Sequence, residues 1–382
     1  MAYSLKKMWA AMAVSLVAAT SFVGANNVVY NSNCDYNACC PVSCGSTGGD
    51  LYFTAEALIL KACEDGLAYG TAVSSSSNSA TGLTEIETRV KNVHPKWNVG
   101  FRLGLGYTLP CDCWGLALYW THFNTHAKSH FDRNFSSTTV GTTTTTNYFV
   151  PAYGNTNFNN GDSSNIDFTE ARWKLRLDVV DIELGRPVCI SQCLTIRPHI
   201  GVRAAWINQS YNIENGVHLI TTDAETVVQD IRLKANYQGV GLRGGLDTQW
   251  DLGCGMSLYG TAAASVLYGN FDVESDNFYT LTAGAATSFD AEQKDDFCAC
   301  RAVTDASIGL RWRQCLCNDS VALTLQVGWE HHLFFDQNKF EDFVALDGST
   351  TFNPAIGEVK NPQVQRGDLC IKGVTISARL DF

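Results

Sequence analysis

Ten stretches of the chain alternate apolar and polar residues with a period of two. In "WNVGFRLGLGY" (97–107), Trp97, Val99, Phe101, Leu103, Leu105 and Tyr107 share one face. Asn98, Gly100, Arg102, Gly104 and Gly106 share the other. A period of two predicts a strand with one apolar face and one polar or small face. The stretches run roughly over 50–62, 95–109, 114–127, 171–186, 194–211, 237–251, 256–272, 301–313, 320–335 and 370–382. Four connections between them are short: 110–113, 187–193, 252–255 and 314–319. Five are long, at about 63–94, 128–170, 212–236, 273–300 and 336–369.

Strands joined by short turns at one end and long loops at the other form an up-and-down meander. The expected fold is all-β: a transmembrane antiparallel β-barrel of about ten strands, with short periplasmic turns and long outside loops. The segment 128–170 has room for a further hairpin, so 12–16 strands is the alternative. The long connections are polar and low in complexity, as in "SSSSNSATG" (74–82) and "TTVGTTTTTN" (138–147), and suit a solvated surface.

By parity, all eight tryptophans after Trp9 fall on the apolar faces. Trp114, Trp250 and Trp312 lie beside short turns, and Trp97 and Trp173 near long loops. Amphipathic rings at strand ends suit membrane interfaces, and Phe382 closes the last strand on the same face. A terminal aromatic of this kind resembles the C-terminal signal that barrel assembly machinery reads.

The polar faces collect Arg102, Lys174, Arg176, Arg197, Arg203, Arg243, Arg311, Arg313 and Arg379. They also collect Glu56, Asp178, Asp247, Asp305, Glu330 and Asp381. So many charges in a dry core would be prohibitively costly, so a polar, pore-lining role is expected, with an arginine excess that favours anions. Two features disturb the pattern. "DVVDIELG" (178–185) shifts phase near Val179 and Val180, which predicts a β-bulge, and Pro198 sits inside a strand, where it removes a ladder bond.

The N-terminus has Lys6 and Lys7, an apolar run from Met8 to Val23 and small residues ending at Ala25. This is the pattern of a secretory signal peptide over 1–25, followed by a Cys-rich periplasmic segment over 26–49 and the barrel over 50–382. A net charge of −11 disfavours nucleic acid as a partner. Export makes disulfides the default for the 15 cysteines, and their odd number leaves one over or bonded between chains. Cys34, Cys39, Cys40, Cys44, Cys111, Cys113, Cys189, Cys193, Cys254, Cys315 and Cys317 are expected on the periplasmic side. Cys63, Cys298, Cys300 and Cys370 fall on the loop side, and a Cys63–Cys370 bond would close the seam between the first and last strands. Pairs two apart, such as Cys111 and Cys113, are strained as mutual partners and point elsewhere, including to other envelope proteins.

Candidate chemistry is sparse. His122, His126 and His130 would share one face of a helix, but here they run along a strand into a loop, so no metal is expected. Glycine-rich "GVGLRGGLD" (239–247) alternates and precedes no helix, which reads as lumen packing rather than a phosphate loop. No nucleophile elbow or zinc helix is present, and no cofactor or enzymatic activity is expected.

The chain resembles, over its whole mature length, the major outer membrane protein family of Legionella and chlamydia-like bacteria. The resemblance rests on "CDYNACCPVSC" (34–44), "DLYFTAEALIL" (50–60), "WKLRLDVVDIELGR" (173–186) and the terminal "LDF", in that order. It implies an abundant, disulfide-linked outer-membrane porin that passes small hydrophilic solutes by passive diffusion, stiffens the envelope and forms homo-oligomers. A non-conducting structural or adhesin barrel is the alternative.

Overall fold

The computed structural model describes residues 50–109, 113–132, 137–153, 168–219, 224–281, 287–316, 321–342, 363–364 and 367–382. The expected signal peptide, the Cys-rich segment and Cys34, Cys39, Cys40, Cys44, Cys111 and Cys317 lie outside these residues.

Ten long strands form the wall: β1 (Asp50–Glu64), β2 (Trp97–Thr108), β3 (Gly115–Asp132), β4 (Phe168–Gly185) and β5 (Leu194–Leu219). The wall continues through β6 (Ala224–Gly253), β7 (Met256–Leu281), β8 (Thr287–Leu316), β9 (Val321–Asn338) and β10 (Gly367–Asp381). Each pairs antiparallel with its neighbours in the chain, and β1 pairs with β10 from Tyr52↔Asp381 to Glu64↔Leu369. The sheet therefore closes on itself as a ten-stranded barrel with no free seam. All ten expected strands are present and the 12–16-strand alternative is not. The 128–170 segment does hold a hairpin, Ser137–Val140 with Thr143–Pro151. That hairpin joins a second one, Ala68–Asn78 with Leu83–Asn92, in a separate four-stranded sheet.

All the strands but β2 are longer than the alternation suggested. A membrane crossing needs about 9–11 residues, whereas β6 and β8 have 30 each. The barrel accordingly has two storeys. Near the short turns the outward residues are apolar and exposed, as in Leu116, Leu118 and Trp120 of β3 or Val240 and Leu242 of β6. Further along the same strands the outward residues are polar, as in Asn124 and His126 or Lys234 and Arg232. The inward residues change in the opposite sense, from Arg243 to Tyr237, Leu233 and Ile231 along β6. A wall facing lipid must be apolar outside, and one facing water must be polar outside.

This inversion explains the phase shift in "DVVDIELG". No bulge occurs at Val179 or Val180. The register of β4 runs unbroken on both sides from Phe168 to Gly185. Odd positions face inward throughout, with apolar Trp173, Leu175, Leu177 and Val179 above and charged Asp181 and Glu183 below. Pro198 also fits without loss. Its carbonyl accepts from Arg186 N, so its missing N–H falls on the side where β4 has just ended at Gly185.

The upper storey is filled. Leu58, Leu60, Phe123, Trp173, Ile207 and Phe271 from the wall meet Leu67, Tyr69, Phe149, Tyr153 and Phe340 from the long connections in one buried cluster. Tyr211 ties the two sets together. Its hydroxyl donates to Leu67 O at 3.0 Å, and its ring lies 5.8 Å from Tyr153 and 5.6 Å from Phe340. Each fully buried large apolar side chain contributes about 1.5–3 kcal/mol, so this layer is a substantial part of the core.

Candidate functional site

Beneath that layer lies a cavity of about 760 Å³ inside the apolar-belted storey, reaching Cys113 and Phe382 at the short-turn end. Strand alternation puts every second side chain into it. Arg102, Arg197, Arg203, Arg243, Arg311, Arg313 and Arg379 line it, with Asp247, Asp305 and Glu330. Glycine makes room for them. A Cβ on Gly241 would overlap the Val266 carbonyl on the neighbouring strand, so this inward position admits no side chain.

The charges form a network that crosses the lumen. Arg102 Nη1 on β2 donates to Glu56 at 2.7 Å and to Glu330 on β9 at 3.2 Å. His332 Nδ1 lies 2.7 Å from Asp305, and its Nε2 lies 3.4 Å from Glu330. Asp305 on β8 accepts from Arg203 Nη1 on β5 at 2.8 Å and from Arg243. Arg203 also grips Asp181 through two bonds of 2.6 and 2.8 Å, and Arg243 Nε donates to Glu183 at 2.9 Å. Strands β2 and β9, and β5 and β8, each lie three apart around the barrel, so these bonds brace strands that share no ladder. Such pairs satisfy charges that would be costly to leave alone away from water.

Nearer the short turns the pairing is more local. Arg197 Nη1 donates to Asp247 at 2.9 Å and Arg379 Nε to Asp381 at 2.8 Å. The Arg379 guanidinium lies 3.6 Å from the Tyr52 ring centre, within cation–π range. The ceiling of the cavity is apolar: Leu60, Phe123, Leu177, Val179, Phe334 and Ile371.

Several expected positions are corrected. Arg176 does not face the lumen; its side chain is 63% exposed on the outer wall, where Nε donates to Asp178 at 3.0 Å. Lys174 and Asp178 are outward for the same reason. Trp173 is not at an interface but fully buried inside, with Nε1 donating to Gln209 at 3.1 Å. All these residues lie above the point where β4 inverts. Conversely, Asp181, Glu183 and Asp50 line the cavity and were missed. Parity counted upward from the turn at Gly185 would have found Asp181 and Glu183. Seven arginines therefore face eight carboxylates, and the expected arginine excess disappears.

Trp97, Trp114, Trp250 and Phe382 are exposed on the outer wall, and Trp312 is half-buried on the same face. His122, His126 and His130 also point outward. His122 Nδ1 lies 2.7 Å from Asp178, and His130 Nε2 lies 2.7 Å from Asp132. Cys63 and Cys370 are direct register partners across the β1–β10 seam. Cys298 and Cys300 are exposed on the outer face of β8, Cys300 in register with Tyr268, and Cys189, Cys193 and Cys254 are exposed near short turns. Cys113 is disulfide-bonded and holds a left-handed φ of 55° in its turn. Cys315 is the penultimate residue of β8, with its side chain outside the described set.

No curated protein matches the chain. Among solved structures it is similar to the outer membrane protease OmpT from Escherichia coli, at 10% identity and a TM-score of 0.35, covering 92% of this chain and 99% of that one. It is also similar to the Pseudomonas putida toluene transporter TodX (8% identity, TM-score 0.23, coverage 88% and 89%). A Pseudomonas aeruginosa FadL homologue stands at 7% identity and a TM-score of 0.23, with coverage of 88% and 90%. Likenesses this distant say nothing about activity. The family model of the Legionella pneumophila major outer membrane protein precursor matches residues 42–382, nearly the whole chain. A closed ten-stranded barrel with an apolar outer belt, matched over that length, belongs to this major outer membrane protein family and is an integral protein of the outer membrane.

Proposed function

We propose that the protein is a narrow porin that passes small hydrophilic solutes by passive diffusion. The short turns, and the N-terminal segment preceding Asp50 beside them, face the periplasm. The observation that supports this reading most is the charged cavity within the apolar belt, open towards the short-turn end. Charged side chains at that depth need partners or water, and a lumen lined by them is the polar surface a hydrated path requires. Passage outward requires the apolar layer around Phe123 and Phe334 to part, so the resting barrel is closed at its long-loop end. With near-equal numbers of arginines and carboxylates, weak ion selectivity replaces the anion preference expected from sequence. Disulfides to other envelope proteins supply a structural role, and the chemistry is non-enzymatic.

The apolar layer itself favours a second reading, a barrel that never conducts and serves only the envelope's structure. Planar-bilayer recording of refolded protein separates the two. Discrete conductance steps in molar KCl, with swelling of liposomes by small sugars, are expected of the porin. Folded protein that gives no step at any voltage would leave the structural barrel.

A further inference from the structure

Just above the apolar belt, β3 to β6 present a basic surface on the outside of the wall. Strand register aligns it in two rows. The lower is Asn124, Arg176, Asn208 and Asn236, and the upper is His126, Lys174, Ser210 and Lys234. These eight residues line a shallow depression of about 430 Å³, and no carboxylate is among its lining residues. One row further up, Lys128, Arg172 and Arg232 are ion-paired with the acids above them, Glu170, Glu214 and Asp230, and on β7 the rows end at Asp272, Glu274 and Asp276.

Height is the second observation. Outward neighbours on a strand are about 6.6 Å apart. The lower row therefore stands one step above Trp206 and two above Trp120, the last exposed aromatics of the belt on this wall. That is the level of lipid headgroups. Some of the charge is already balanced: Asp178 accepts from Arg176 at 3.0 Å and Glu274 from Lys234 at 2.8 Å. Lys174, exposed in the centre, makes no ion pair among the described residues. The amides and the Ser210 hydroxyl add neutral donors beside it. Lys174 and Lys234 lie two strands apart, or about 10 Å, which is wider than one phosphate.

We propose that this surface binds the headgroup of a glycolipid carrying two phosphates in the leaflet around the long-loop end. Arg176 and Lys174 hold one phosphate and Lys234 the other, while the acyl chains lie on the apolar belt below. Charge-assisted bonds from arginine and lysine are the strongest phosphate contacts available to such a wall. The proposal assumes the orientation given above only in assigning the leaflet.

The test uses the full-length folded protein in phosphatidylcholine nanodiscs carrying either diphosphorylated lipid A or phosphatidylglycerol in both leaflets. Native mass spectrometry then counts retained lipid. Wild type is expected to keep lipid A at least tenfold better than phosphatidylglycerol. The triple variant Lys174→Gln, Arg176→Gln, Lys234→Gln should lose that preference, and Lys294→Gln, on β8 outside the depression, should not. Millimolar inorganic phosphate should leave retention unchanged, because the chains anchor the ligand. Equal retention by wild type and the triple variant, with both showing folded-barrel mobility on gels, overturns the site. Equal retention of the two lipids by wild type overturns the two-phosphate headgroup. Protease access to the long loops in intact cells tests orientation separately, since both leaflets of the nanodisc carry the lipid.

Discussion

Val179 and Val180 are consecutive on β4, yet Val179 is buried inside the barrel against Ala205 and Thr121 while Val180 faces outward beside Ala204 and Trp120. The register passes through both without a break. What changes there is the solvent on each side of the wall. Nitroxide labels should read this directly. A label at Ile182→Cys is expected to be relaxed by oxygen, which partitions into lipid, and one at Arg176→Cys by a water-soluble nickel chelate. Equal accessibility of both labels to the nickel chelate would contradict the boundary.

Arg203 holds two luminal carboxylates, Asp181 through two bonds and Asp305 through a third. Its loss leaves two carboxylates with fewer partners in a region of little exposure. Arg203→Ala should therefore destabilise the barrel by about 3–5 kcal/mol. The measurement is the temperature at which the folded gel band converts to the unfolded one, compared with Arg176→Ala on the outer wall, for which little change is expected.

Phe123 and Phe334 close the cavity from above and are almost fully buried. Replacing both with alanine should widen the path and raise single-channel conductance, with a stability cost of about 3–5 kcal/mol for each substitution. An unchanged or absent conductance from the folded double variant would place the barrier elsewhere.

Across the β1–β10 seam, Cys63 faces Cys370, whose Sγ lies 3.2 Å from His331 Nε2. Under an oxidising disulfide such as oxidised glutathione, a Cys63–Cys370 bond is expected to form by thiol–disulfide exchange. Non-reducing peptide mapping should recover the linked peptide, and alkylation of both thiols after oxidation would refute it.

Glu64 lies above the apolar belt, with Oε1 accepting from Gln209 at 3.4 Å and Oε2 buried without a partner. Burial holds its pKa well above the usual value of about 4.5, with Asp65 and Asp368 adding to the effect. The folded state therefore keeps a proton that the unfolded state releases, and stability falls as pH rises above 4.5. Glu64→Gln should raise the unfolding temperature at pH 7 and leave it nearly unchanged at pH 4. A loss of stability at pH 7 would refute this.

Much of the wall was legible in the residues themselves. Alternation, short turns and outward tryptophans located all ten strands, because lipid on one side and a polar interior on the other imprint a period of two on each. The alternation in "WNVGFRLGLGY" alone assigns Arg102 to the lumen, since β2 lies wholly within the belt. Parity failed at Trp173 and Arg176 because apolar-outward was assumed for the whole of β4. An alternating strand carries the same period on either side of a membrane boundary. Only the height of each residue, set by register with nine other strands, shows which solvent it meets. The loop residues that fill the upper storey, Leu67, Tyr153 and Phe340, had no local signal at all. All three meet Tyr211 on β5, far away in the chain, and such contacts exist only once the barrel has closed.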